Sequence, residues 1–141
     1  MITIGVKRKK SAIPELAAKV TAASEMIVQD IAKDFCEDVK DTITNNLTDG
    51  PALAPITIAR KGHATKLLET GDLRAAVQVQ GKGIDVYVGV PRSSSEYQKA
   101  RIHEFGAPDM NIPKRSFIHS TWNRRRDVLL AKARVEFMAA I

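Results

Sequence analysis

Three histidines (His63, His103 and His119), one cysteine (Cys36) and a scatter of carboxylates are the side chains with which this chain can do chemistry. Metal centres hold their ligands at short, characteristic spacings, and these residues form no such pattern. His103 and Glu104 are adjacent, so on a helix they point in different directions. His103 is therefore expected to hydrogen-bond a neighbouring loop rather than to act as a base. Cys36 lies among Asp34, Glu37 and Asp38, whose charge opposes a thiolate, so it reads as structural. Asp34, Glu37, Asp38 and Asp41 read as the solvated face of a helix. No phosphate-cradling loop, dinucleotide fingerprint or nucleophile elbow is present. The expectation is a chain with no cofactor, no metal and no catalytic residues; a hydrolase or nuclease using His103 and Glu104 is the weakest reading.

The elements that would position such residues can be read from periodicity and punctuation. Ser11 can cap a helix with Pro14 in its first turn. Apolar residues then recur every three or four positions to Leu47, with Asn45-Asn46 and Asp49-Gly50-Pro51 ending the run. A helix from Pro14 to Leu47 would be about 50 Å long, whereas a globule of this length has a diameter of about 37 Å. Either the helix breaks or one end leaves the globule. The run Ile27, Ile31, Phe35, Val39, Ile43, Leu47 steps by four, so its stripe drifts by about 40° per step. Its parts must face different neighbours.

Residues 48–66 read as a Pro/Gly-punctuated loop of functional or mobile character, with a short helix over Thr57–Lys61. Gly71 marks a turn, and Asp72 can cap a short helical turn through Ala76. Val77–Gln80 and Ile84–Val90 alternate around Gly81-Lys82-Gly83. This predicts a β-hairpin at about 77–90 with a three-residue loop and with Ile84, Val86, Val88 and Val90 on one face. Arg92–Ser95 is a polar linker. A short helix follows to Phe105 and ends at Gly106, and a last helix over residues 119–140 has Trp122, Leu129, Leu130, Ala133 and Phe137 as its apolar face. The fold class is α+β: a long N-terminal helix and a C-terminal helix packed on a small antiparallel sheet. Residues 1–10 read as a flexible basic arm and residues 11–141 as one domain.

Composition bounds the function. Hydrophobic residues make up 44% of the 141, enough for a core. No apolar run is long enough for a signal peptide or a membrane span, and a single cysteine fits a reducing cytoplasm. The net charge of +6 is local: Lys7, Arg8, Lys9 and Lys10 in the arm, and Arg124, Arg125 and Arg126 in the last helix. Such tracts contact nucleic acid or an acidic protein surface. No aromatic residues interleave with them as a nucleic-acid groove requires, so a basic nucleic-acid-binding module is the alternative reading rather than the first.

Three ordered segments carry a resemblance: Leu67-Leu68-Glu69-Thr70-Gly71-Asp72-Leu73, Arg101-Ile102-His103-Glu104-Phe105-Gly106 and Ile112-Pro113-Lys114-Arg115-Ser116-Phe117-Ile118. With the hairpin between the first two, a helix after the third, and Leu53–Gly62 before them, they resemble the phage virion-morphogenesis family of tail-completion and neck proteins. The resemblance covers roughly residues 50–125. One departure is that Tyr97 is followed by Gln98-Lys99, where the family often has small residues.

The resemblance implies a structural virion protein of the tail or neck, made in the bacterial host cytoplasm. It would form a homo-oligomeric ring, commonly a hexamer, and make the tail competent for head–tail joining. Its implied partners are other copies of itself, a tail terminator or tail tube protein and head–tail connector proteins, with possible passage of DNA through the ring and no membrane.

Among the motif residues Leu68, Thr70, Gly71, Leu73, His103, Phe105, Gly106, Pro113, Arg115 and Phe117, Gly71 and Gly106 read as positions needing positive φ, and Pro113 as fixing a turn. Phe105, Phe117 and Ile118 read as core anchors, and Arg115 as either a buried ion pair or an intersubunit contact. The expected interface lies instead on the overlong first helix, the arm and the 48–66 loop, with Lys7, Arg8, Lys9, Lys10, Arg60, Lys61, Arg124 and Arg125 as candidate contacts. A ring needs one patch to meet a different patch on the next copy.

Overall fold

The computed structural model describes residues 11–67 and 71–141. The proposed arm with Lys7, Arg8, Lys9 and Lys10, and the motif residues Leu68 and Thr70, lie outside the described residues. In chain order the elements are α1 (Ile13–Thr44), α2 (Pro55–Lys61), α3 (Asp72–Ala76), β1 (Gln78–Lys82), β2 (Asp85–Gly89), α4 (Tyr97–Phe105), a 3-10 turn at Pro108–Met110, and α5 (Ile118–Ala140). The expected α+β class is what forms: long first and last helices with one two-stranded antiparallel hairpin.

Helix α1 begins with Pro14 in its first turn, as expected, but its N-cap is Ala12 and no side chain caps it; Ser11, one residue earlier, accepts from the Ile13 N–H through its hydroxyl at 3.3 Å. The helix ends at Thr44, three residues short of Leu47, because Asn45 and then Asn46 at φ 57° turn the chain away. Leu47 is consequently exposed. The helix is unbroken over 32 residues, about 48 Å, so of the two expected outcomes one end leaves the globule. Residues 11–22 are exposed apart from a half-buried Val20, and Ile13 and Leu16 keep 74% and 54% of their surface in solvent.

The C-terminal half of α1 buries Ala32, Cys36, Val39 and Ile43 along one face. Cys36, Val39 and Ile43 join Leu67, Leu73, Val77, Ala100 and Phe117 in the core, and Phe35, Val79, Val88, Val90 and Ile118 pack against it. The drift of the four-step stripe has an intrachain outlet. Ile27, Ile31 and Phe35 turn toward an open apolar groove between the hairpin, at Val86 and Val88, and α5, at Trp122 and Leu130.

The hairpin is tighter than the spacing predicts. Lys82 pairs with Asp85, so Gly81 and Lys82 belong to β1 and only Gly83-Ile84 forms the turn. Gly83 takes φ 59° at the first turn position, where two-residue hairpins favour glycine. Ile84 is therefore an exposed turn residue rather than a member of the buried face. Gly71, at φ 86°, stands at the N-cap of α3, and Asp72 is the first helical residue rather than the cap.

Helices α1 and α5 run antiparallel, joined by a ladder of specific contacts. Arg125 Nε donates to Asp38 Oδ2 at 2.9 Å, and Lys132 pairs with Asp34. Phe35 and Trp122 meet edge to face at 5.6 Å. One expectation is corrected here. Asp34 and Asp38 do not simply face solvent, because α5 presents cations to them. Arg124 is held within the chain as well, its Nη2 donating to Thr42 Oγ1 at 2.5 Å. The apolar face of α5 also differs from expectation: Ser120, Thr121 and Leu129 are buried, while Leu130 is 56% exposed.

At the closed end of the ladder Thr42 and Thr121 are both fully buried, with hydroxyls 2.6 Å apart. Thr121 Oγ1 also lies 2.6 Å from the Phe117 carbonyl. A hydroxyl donates one proton and accepts others, so one consistent chain runs from Arg124 through Thr42 and Thr121 to the Phe117 carbonyl. Replacing Thr121 with the near-isosteric valine removes the central link: the Phe117 carbonyl loses its shortest donor, and the Thr42 hydroxyl keeps the Asp38 carbonyl, 2.9 Å away, as its acceptor. Thr121→Val is expected to lower stability by about 1 kcal/mol. Urea denaturation checks this: the midpoint should fall with the slope unchanged.

Candidate functional site

The motif segments converge where α4, the 106–117 segment and the start of the 48–66 loop meet. Helix α4 turns Tyr97, Ala100 and Glu104 inward, positions three and four apart on one face. Phe105, one position further, points outward and is 71% exposed. The expectation that Phe105 anchors the core is therefore wrong, whereas Phe117, fully buried, is such an anchor.

The inward residue is Glu104, a buried carboxylate at the N-terminus of α5. Its Oε1 accepts from Ser116 Oγ at 2.7 Å and from the His119 N–H at 3.0 Å. Its Oε2 accepts from the Phe117 and Ile118 N–H groups at 2.9 and 3.0 Å. Four donors thus fill a carboxylate that offers about four lone-pair sites. The N–H groups are those that a helix start leaves without intrahelical partners, at the end where the helix dipole favours negative charge. Burial pushes the Glu104 carboxyl up, but the backbone N–H groups of Ile118, His119 and Phe117, with the Ser116 hydroxyl, outweigh it and hold the group below its ordinary value. The acceptor sites of the carboxylate are thus committed to Ser116 and to the start of α5.

The loops around this cap are pinned by close backbone approaches. Gly106 sits at φ 77° and ψ 169°, a region almost confined to glycine, and a Cβ there would lie 3.0 Å from the Lys114 N. Pro113 follows a turn closed by the pairing of Ala107 with Ile112. The Arg115 N–H donates to the His103 carbonyl at 2.8 Å. The 48–66 loop is tied as well: Asp49 N–H donates to the Ser116 carbonyl at 3.2 Å, and Lys66 Nζ donates to the Thr48 and Gly50 carbonyls at 2.8 and 3.0 Å.

Between these loops and α4 lies an open cleft of about 500 Å³. Arg60, Lys61, Lys66, Lys99, His103 and Arg115 line it together with Pro113. Of the two readings of Arg115, the buried ion pair is corrected: the residue forms no salt bridge among the described residues, and its Nε donates to the Pro51 carbonyl at 3.2 Å. His103 does bond a neighbouring loop, but through its backbone carbonyl rather than its ring, whose buried Nδ1 has no partner among the described residues. Burial, then Arg115, Lys99 and Lys61, hold the His103 imidazole below its ordinary value. Arg60 is exposed, and Lys61 Nζ donates to the Thr65 and Lys66 carbonyls.

Cys36 is buried with Sγ 3.7 Å from the Val77 carbonyl. Burial raises its thiol above the ordinary value, against an opposing Lys40 and with a smaller contribution from Glu37. Among the described residues no group of three His, Cys, Asp or Glu side chains is placed to hold a metal, and no helix is long and apolar enough to cross a membrane. Compared with protein-family models, curated proteins and solved structures, the chain gives no match.

Glu104→Gln tests the cap. The folded-state value of Glu104 lies below the unfolded one of about 4.3, so its stabilisation is present above that pH and drains away as the pH falls through the folded value. The substitution should cost about 1–3 kcal/mol at neutral pH and leave a shallower further loss on acidification than the wild type shows. Urea denaturation at neutral and acid pH measures both effects.

Proposed function

We propose that the chain is a structural component of a phage tail or neck, acting as an oligomeric ring that completes the tail and prepares it for joining to the head. The ordered motif set supports the phage reading through its resemblance to the virion-morphogenesis family. The single structural observation that carries the assembly reading is the N-terminal end of α1, which is exposed among the described residues. Lys132 on α5 sits beside Asp34 on α1, and α5 has only eight residues left, to Ala140. The two antiparallel helices rise equally, so α5 reaches no further than about residue 26 of α1. The first three turns project beyond it, carrying exposed Ile13 and Leu16.

An isolated helical extension with unpaired apolar side chains gains little by itself, since most helix stability in proteins comes from tertiary packing. Packing against another copy supplies it. Phe105, Met110, Val128, Val135 and Met138 are further exposed apolar side chains available as the different patch that a closed ring requires. In this reading the partners are further copies, a tail terminator or tube protein, and head–tail connector proteins. The nucleic-acid alternative loses part of its ground, because Arg124 and Arg125 are engaged within the chain.

Purified chain should sediment as an oligomer larger than a dimer and show rings by negative-stain electron microscopy. Ile13→Asp combined with Leu16→Asp should shift it to monomer while far-ultraviolet circular dichroism retains the helical signal. A wild-type chain that stays monomeric at high concentration contradicts the reading.

A further inference from the structure

The cleft beside α4 gathers like charges from three separate segments: Arg60 from α2, Lys99 from α4 and Arg115 from the stretch before α5, with Lys61 and Lys66 beside them. No acidic side chain is among its described lining residues. Cations brought together repel one another, and a concave surface of one sign focuses the field upon whatever enters it. Burial, and then Arg115, Lys99 and Lys61, hold the His103 imidazole in the cleft below its ordinary value. Arg60 and Arg115 form no salt bridge among the described residues, and Lys99 has only a contact of 3.5 Å to Glu96.

We propose that this cleft binds a carboxylate-rich acidic peptide segment of a partner protein. Two observations favour that occupant over a nucleic acid. No Phe, Tyr or Trp is among its described lining residues, so the large stacking platforms that nucleic-acid grooves use are missing. Its volume of about 500 Å³ belongs to a pocket that accepts a few side chains rather than to a groove that tracks a strand. The two arginines match the occupant, because a planar guanidinium pairs a carboxylate through two parallel hydrogen bonds. Arg115 is already oriented by its bond to the Pro51 carbonyl. This inference goes beyond the assembly reading. The site uses none of the α1 extension, and a monomer would bind the peptide as well as a ring.

The test is fluorescence anisotropy of the full chain with a labelled hexaglutamate peptide, with labelled hexathymidylate as the competing probe. Hexaglutamate is expected to bind at low salt and to weaken as salt rises. Arg60→Gln with Arg115→Gln should weaken it by about tenfold or more, while Arg126→Gln, on α5 beside Asp127, should leave it unchanged. Bound carboxylates offset Arg115 and Lys99, so the His103 imidazole should titrate at higher pH with the peptide than without it, as read by NMR. No binding of hexaglutamate, an equal loss in Arg126→Gln, an unmoved His103 titration, or tighter binding of hexathymidylate at the same residues would each overturn the proposal.

Discussion

The Glu104 carboxylate holding the start of α5 is the interaction on which the rest depends. Its four hydrogen bonds come from Ser116 and from the N–H groups of Phe117, Ile118 and His119. They fix three things together: where α5 begins, where Phe117 enters the core, and how the 106–117 segment crosses α4. An unpaired buried carboxylate or an unpaired helix start would each be costly. Together they satisfy one another. Phe117 then seats against Val39 and Ile43, and α5 is aimed back along α1 so that Asp38 meets Arg125 and Asp34 meets Lys132.

That aim has a consequence at the other end of the molecule. The helices are matched in register by the ladder but not in length, so α1 outruns its partner. The exposed turns follow from a seam that is fully specified elsewhere, and they are the basis of the proposed assembly role. The same convergence that makes the cap also makes the cleft. Arg115 immediately precedes Ser116, one of the donors to that carboxylate, and Lys99 and His103 lie on the helix that supplies it. The cap and the cationic cleft are two sides of one junction.

Local signals in the sequence were good guides to local structure. Pro14 and Ser11 marked the start of α1. Alternating valines marked the hairpin, and Gly71 and Gly106 adopt the positive φ expected of them. The helix length alone left two outcomes, a break or an end outside the globule, and the unbroken α1 takes the second. What stayed hidden was partnership over distance. Nothing next to Ser116 says that its helix is capped by a glutamate from another helix, since a capping box places its acid three residues on. Nor does a row of acids on α1 disclose that α5 will bring Arg125 and Lys132 to them. In α4 a single residue of phase decides between Glu104 and Phe105. The aromatic was the natural choice for the core, but the nine-residue helix is too short for periodicity to settle its inner face, and the four donors of α5 settle it instead.

The proposed role of the chain is to join tail to head. Electron microscopy of phage particles assembled without it tests that claim most directly. The account predicts tails and full heads lying apart, with normal joining restored when the protein is supplied. Tails of ordinary length joined to full heads in its absence would contradict it.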